Sequence, residues 1–522
     1  MSNEKKPGLD SLRAIVQNMS IVSAGTLTSR ILGFFRDVIL AKFLGTGLQA
    51  DALFVAFRIP NLFRDFVGEG AANSTVVPVF SEYAHRDQPR EFWRLVAVVL
   101  LIATGILTAL TVAGMLLAPF IVRILAPGFM AVPEKVALTV QLTRILFPYL
   151  IFIGLTAYTM AILYTFRRFA VPAFSPCLLN IAIIVCALLA AHYQWTPVYG
   201  VAAGILLGGL LQLAVQIPPV IKAGFRFPPP APVRHPGVVQ IGRLLVPRLI
   251  GAGVYQLTIF IDTFCASLAF IVGAGGISAI YYSNRIIQLP MGVFSIALAS
   301  AVLPTLSSLA AKKDITRLRD TVIFALENIF FVMIPAAVMT MVLARPIIRV
   351  LFQRGEFGEY STMITSSALT FYAIGLFAFG GIKILVSSFH ALQDTRTPVK
   401  VSASCLVING VLNVALMFPL KIAGIAFASS VAGLVNFTAL LLLLEKRIGS
   451  LTETLGAFVL RVLLSAVLSG FAVAWLWNTA PAAEWLKLSV LLPGGMIVYL
   501  AGCYYLNVPQ ARKLIIWIFG KK

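Results

Sequence analysis

Long apolar runs broken by short polar stretches organise the whole chain. A run of roughly 20 residues crosses a bilayer as a helix. Fourteen such runs are found, at about 12–42, 47–82, 92–126, 134–163, 172–192, 197–222, 239–272, 276–310, 318–352, 360–391, 398–419, 422–445, 455–477 and 486–506. The pattern predicts an all-α polytopic membrane protein with fourteen transmembrane helices. The first run follows MSNEKKPGLDSLR and is too long and too polar for a signal-peptide core, with no small-residue cleavage site behind it, so it reads as a helix of the mature chain.

The pattern also occurs twice. FRIPNLF at 57–63 resembles NRIIQLP at 284–290, TVVPVFSEYA at 75–84 resembles AVLPTLSSLA at 301–310, and APFIVRILAPGF at 118–129 resembles ARPIIRVLFQRGEF at 344–357. The pairs Arg58/Arg285, Pro78/Pro304, Pro119/Pro346 and Pro172/Pro398 all stand 226 or 227 residues apart. Prolines in lipid-embedded helices are placed features, so one offset held at four anchors indicates a duplication. Each copy holds six helices, an even number, so both share one orientation and are expected to be related by an axis along the membrane normal. The expected division is an N-lobe at 1–222, a cytoplasmic linker at 223–238 containing the proline-rich FRFPPPAPVRHPG, a C-lobe at 239–446, and a remainder at 447–522 with helices 13 and 14 and a cytoplasmic tail.

Composition agrees with a membrane protein and narrows its partners. Of 522 residues, 59% are apolar and 12% charged, with a mean hydropathy of +0.93, outside the range of soluble globular chains. The net charge of +21 would suit nucleic acid, but the basic residues fall in loops that alternate along the chain, so no nucleic-acid partner is expected. With the N-terminus in the cytoplasm, one set of loops carries Lys5, Lys6, Arg86, Arg167, Arg168, Lys312, Lys313, Arg396 and Lys521 among others. The opposite set holds little beyond Lys42, Lys135, Arg354 and Lys421. By the positive-inside rule both termini are cytoplasmic. The five cysteines, Cys177, Cys186, Cys265, Cys405 and Cys503, lie in apolar segments without ligand spacing and read as small core residues. No nucleotide-binding loop, nucleophile elbow or zinc-hydrolase motif is present, so a transporter rather than an enzyme is expected.

Four helices depart from the apolar pattern. Positions three and four apart share a helix face. On that face helix 1 carries Ser23, Thr26, Arg30, Gly33 and Asp37, and helix 2 carries Asp51, Arg58, Asn61 and Asp65, flanked by Arg64 and Glu69. Helix 7 carries Arg248, Gly251, Tyr255, Thr258 and Asp262, and helix 8 carries Ser278, Tyr281, Arg285, Gln288, Gly292 and Ser295. A charge near the centre of a membrane helix costs roughly 2.5 to 3.5 kcal/mol on insertion scales. These charges either pair to hold helices together or line a substrate path. Stripes on repeat-equivalent helices fit a water-filled central cavity between two lobes. Arginine dominates there, at 30, 36, 58, 64, 248 and 285, and guanidinium forks suit phosphate or carboxylate, so the expected ligand is anionic.

The stretch SRILGFFRDVILAKFLGTGLQADALFVAFRIPNLFRDFVGEGAANSTVVPVFSEY at 29–83 resembles the N-terminal signature of the MurJ (MviN) lipid II flippases of the MOP exporter superfamily. YYSNRIIQLPMGVFSIALASAVLP at 281–304, LAPGF at 125–129 and TPVK at 397–400 resemble further motifs of that family, and the similarity covers essentially the whole chain. The resemblance implies a monomeric carrier in the bacterial inner membrane. It would move undecaprenyl-pyrophosphate-linked disaccharide pentapeptide from the cytoplasmic to the periplasmic leaflet by alternating access, for cell-wall synthesis. It implies head-group contacts at Arg30, Arg36, Asp51, Arg64, Glu69, Ser278 and Arg285, to which the arginine stripe adds Arg58, and a groove for the polyprenyl tail in helices 13 and 14. Two positions depart from the family pattern: Asp65 follows Arg64 where a second basic residue is common, and EGAA stands where EGAF is common.

Some members of that family carry sodium in the C-terminal lobe. The matching positions are Asp262, Asn409, Asn413 and Ser429 with the carbonyl of Ile425, which would make sodium the coupling ion. Hard oxygen ligands suit a hard cation. The alternative is an aspartate that only pairs with Arg248 or a cavity arginine. For the whole chain, the competing functions are another exporter of the superfamily, such as a polysaccharide-lipid flippase or a cation-coupled drug antiporter, and a structural scaffold. An arginine-lined cavity would repel cationic drugs.

Overall fold

The computed structural model describes the backbone of residues 9–67, 75–86, 88–226 and 235–519, and their side chains except at 9–19, 63–67, 246–252, 254, 255, 515 and 517–519. The chain divides into two compact units, residues 1–256 and 257–522. The described residues are helical, without a strand. The first unit holds α1 (Leu9–Leu44), α2 (Leu48–Val67), the short α3 (Val77–Ala84), α4 (Pro89–Leu125), α5 (Pro133–Leu146), α6 (Tyr149–Thr165), α7 (Ala170–His192) and α8 (Pro197–Lys222). α9 (Pro236–Ser267) begins in the first unit and ends in the second. The second unit continues with α10 (Ala269–Val272), α11 (Gly276–Pro290), a π turn at Met291–Ser295, α12 (Ile296–Ala311), α13 (Ile315–Val342), α14 (Ala344–Phe352), α15 (Glu359–Ile374) and α16 (Leu376–Ala391). It closes with α17 (Arg396–Leu420), α18 (Ile422–Ile448), α19 (Thr452–Thr479), α20 (Glu484–Tyr505) and α21 (Pro509–Phe519).

Among the described residues ten helical spans are long and apolar enough to cross a membrane, or eleven when α15 and α16, bent by 45° at Gly375, are taken as one. α1, α2 and α9, three of the helices with polar stripes, are outside that set.

The 226–227 spacing recurs in the backbone. Arg167 after α6 and Gln393 after α16 adopt left-handed φ values of 57° and 58°. Arg168 N–H donates to the Leu163 carbonyl and Asp394 N–H to that of Phe389, the six-to-one bond that closes a Schellman cap. Pro172 and Pro398 are each the third residue of their helix, in the first turn, where a missing N–H leaves no bond unmade. One site differs: Pro119 lies inside an unbroken α4, whereas Pro346 opens α14 just after a break at Leu343.

Apolar helices in lipid gain little from the hydrophobic effect and associate by close packing, which favours small residues at the contact. A Cβ at Gly204 or Gly208 of α8 would stand 2.7 Å from the Cα of Ile183 or Leu179 on α7, so only glycine permits this approach. In the second unit a Cβ at Gly424 would stand 2.1 Å from the Leu416 carbonyl oxygen, which fixes the approach of α18 to α17. At the start of α9, buried His235 places Nε2 2.9 Å from Glu91 Oε1, and its Nδ1 accepts from Gly237 N–H. These bonds dock the first turns of α9 on the first unit.

The TPVK stretch is explained by Asp394. Its Oδ1 accepts from the N–H groups of Arg396 and Thr397 at the start of α17, and its Oδ2 accepts from the Thr397 hydroxyl and lies 2.6 Å from Arg447 at the end of α18. The Thr397 hydroxyl and amide hold this carboxyl well below the usual carboxylate range, and Arg447 adds to the shift. A depressed folded-state pKa stabilises above the unfolded value of about 4 and ceases to do so as pH falls through the folded value. Asp394→Ala should therefore lower stability at pH 7 by about 1 kcal/mol, the usual cost of a lost cap. In thermal unfolding at pH 7 and pH 3, the gap between parent and variant should narrow at the lower pH; an equal gap would refute the role of the carboxylate.

Candidate functional site

In the first unit the polar face of α1 is divided between a committed arginine and an available one. Arg36 Nη2 donates to Asp37 Oδ1 at 2.7 Å and its Nη1 to Asn180 Oδ1 on α7 at 3.0 Å. Asn180 Nδ2 donates in turn to the Ser29 carbonyl at 3.1 Å, closing a polar clasp between α1 and α7. Asp37 is 1% exposed. Arg30 is exposed and makes no hydrogen bond or ion pair with the described residues. Arg58 on α2 is half-buried.

Asp51, in the first turn of α2, is buried against α5. Lys135 Nζ donates to its Oδ2 at 2.7 Å and lies 4.1 Å from the centroid of the Phe129 ring. The sequence places Lys135 in a loop, because it stands at the edge of an apolar run. The structure buries it, since the LAPGF turn brings Phe129 and the start of α5 back over α2.

In the second unit Ser278 is fully buried, whereas Arg285 is half-buried on α11. Arg285 Nη2 donates to the Tyr281 hydroxyl at 3.0 Å, and its guanidinium carbon is 4.9 Å from that ring's centroid. The i,i+4 spacing puts the two on one face. Asp262 on α9 forms the other polar centre. Its Oδ1 accepts from Asn413 Nδ2 at 2.7 Å and its Oδ2 from Ser429 Oγ at 3.2 Å. Asn413 Nδ2 also donates to Asn409 Oδ1, and Asn409 Nδ2 to Ser429 Oγ. Ile425 is fully buried one turn before Ser429. The Oδ1 of Asn413 is buried without a hydrogen-bond partner, an oxygen lone pair that a hard cation could use.

The structure thus brings together Asp262, Asn409, Asn413 and Ser429, and separately Arg36 with Asp37 and Asn180. The side chains of Arg64, Asp65 and Arg248, and all of Glu69, lie outside the described residues. Three residues escape the sequence reading. Asn180 is the single asparagine in its apolar run, and Lys135 is a run-edge lysine. Lys383, within the apolar stretch FAFGGIKILVSS on α16, is exposed and makes no hydrogen bond or ion pair with the described residues. A lone polar residue inside an apolar run is the available signal for Asn180 and Lys383.

A family model described as "Lipid II flippase MurJ" matches residues 40–494. The chain is 35% identical to the "Probable lipid II flippase MurJ" of Vibrio cholerae over 91% of both chains, and 35% identical to the protein of that description from Haemophilus influenzae over 91% of this chain and 95% of the relative. A solved structure described as "Lipid II flippase MurJ, inward closed conformation" superposes with a TM-score of 0.80 at 27% identity, covering 95% of this chain and 99% of the other. An inward-facing multidrug-resistance MATE family transporter of the MOP superfamily superposes with a TM-score of 0.67 at 16% identity over 84% of this chain and 99% of the other, a likeness of fold.

Arg36→Ala removes the partner of a buried carboxylate, a change that typically costs about 3–5 kcal/mol. The expected result is a thermal unfolding temperature several degrees below the parent, partly restored by adding Asp37→Asn. A doubly substituted protein no more stable than Arg36→Ala alone would show that Asp37 is held chiefly by other groups.

Proposed function

The chain belongs to the lipid II flippase MurJ family, and on that premise we propose how its residues serve transport. It is a multi-pass membrane transporter of the MOP superfamily fold, a lipid II flippase acting in peptidoglycan synthesis. The cargo is the undecaprenyl-pyrophosphate-linked precursor, carried toward the periplasmic leaflet by alternating access. We infer fourteen crossings, the eleven apolar spans that result when α15 and α16 are taken as one, together with α1, α2 and α9, and cytoplasmic termini from the distribution of Lys and Arg. A monomer is sufficient for this scheme.

The observation that carries the head-group assignment is Arg30. An exposed guanidinium in a lipid-embedded run, with no hydrogen bond to the described residues, is a cation held for an anion that comes and goes. Arg58 and Arg285 are assigned to the same task. The fork of Arg285 is backed by Tyr281, which orients it for two-point binding of a phosphate oxygen pair. Arginines in these positions disfavour a cationic drug as cargo.

Asp262, Asn409, Asn413 and Ser429, with the Ile425 carbonyl, are assigned to a sodium ion. The unsatisfied Asn413 Oδ1 and the converging Asp262 carboxylate support the fit. When bound, sodium would neutralise Asp262 and couple transport to its gradient. Asp262→Asn should then abolish sodium-dependent thermal stabilisation of the purified protein, and a sodium response equal to the parent's would remove the ion from the scheme.

Replacing the endogenous flippase of a bacterium with this chain should sustain cell-wall synthesis and lipid II translocation. In that setting Arg285→Lys should fail nearly as badly as Arg285→Ala, at normal membrane abundance, because a point charge lacks the fork. Lipid II binding by a stable Arg285→Ala protein at the parent's affinity would refute the clamp.

A further inference from the structure

The buried Lys135–Asp51 pair carries a chemistry that the packing of its two helices does not require. Lys135 is the third residue of α5, so its ammonium stands at the positive end of a helix dipole, the wrong end for a cation. Asp51 is in the first turn of α2, the right end for an anion. Lys135 is 7% exposed and Asp51 2%. Among the described residues, Asp51 and the face of Phe129 are the partners that hold the lysine there. Residues 227 positions on, Ser278 and Thr362, occupy the same places on α11 and α15, helices that also pack together, and both are fully buried. Thr362 turns its hydroxyl to Gln353. At these places the second unit holds neutral groups, where the first holds two charges.

We propose that Lys135 is a positioning residue for transport. Through Asp51 it sets the first turn of α2, and with it Arg58, seven residues along the same helix face, so the acid at 51 serves the pair and not the cargo. The proposal rests on the flippase reading for its link to lipid II.

The experiment compares Asp51→Asn, Lys135→Met and the double variant for thermal unfolding, and for lipid II translocation at matched membrane abundance. Asp51→Asn strands a lysine at a helix N-terminus and should lower the unfolding temperature by several degrees, more than Lys135→Met, which leaves an aspartate where the helix dipole favours it. The double variant should regain most of the temperature lost by Asp51→Asn. Among folded molecules, each single variant should translocate at least tenfold more slowly than the parent, and the double variant should recover much of that loss, which a purely structural bond would not require. An Asp51→Asn protein of parental stability that is transport-dead and unrescued by Lys135→Met would overturn the proposal and return Asp51 to the cargo. A parent that translocates no lipid II would instead refute the cargo, while the thermal coupling of positions 51 and 135 would still decide the pair.

Discussion

A charge within a chain that is 59% apolar must be matched by an opposite charge, a set of hydrogen bonds or a wetted space. The organisation of the polar helices follows from that constraint. Asp37 is matched by Arg36, Asp51 by Lys135, and Asp262 by the amides of Asn413 and the hydroxyl of Ser429. Each match joins residues far apart in sequence or fixes a side chain that reaches another helix. The polar contacts that make charge tolerable are therefore also the contacts that hold α1 to α7, α2 to α5 and α9 to α17. Arg30 stands outside this matching, with no hydrogen bond or ion pair to the described residues.

Duplication supplies one helical frame, and substitution at equivalent positions gives its copies different chemistry. Arg36 and Asp262 stand 226 residues apart, each facing an asparagine on a helix that carries a proline in its first turn, Asn180 on α7 and Asn413 on α17. In the first unit the cation is a tethered guanidinium. In the second the equivalent side chain is an anion beside an unsatisfied amide oxygen. Two different side-chain chemistries can thus stand on one backbone plan, which close glycine contacts and helix caps hold in place.

The termini of the helices show how little of the frame is left to chance. Left-handed residues at 167 and 393 close α6 and α16 with the same bond, and Asp394 then starts α17 while holding the end of α18 through Arg447. Short connections with fixed caps transmit the position of one helix to the next. That rigidity suits a transporter of alternating access, in which units move as bodies.

The sequence by itself determined the class, the repeat and the sign of the ligand. Apolar run length reports membrane helices because lipid offers no partner to a free backbone group, and the proline spacing reports the duplication because each proline is tied to one place in a helix. Arg30 and Arg285 were legible as candidates because three-and-four spacing fixes a helix face. Spacing says nothing of the helix that meets that face, so the partners were decided by tertiary structure alone. Asn180 sits in an otherwise apolar run, yet it captures Arg36. Lys135 lies at the edge of a run and reads as a loop residue, yet the LAPGF turn folds it onto Asp51. The ring of Asp262, Asn409, Asn413 and Ser429 spans three helices, and only their packing brings four oxygen-bearing side chains to one point.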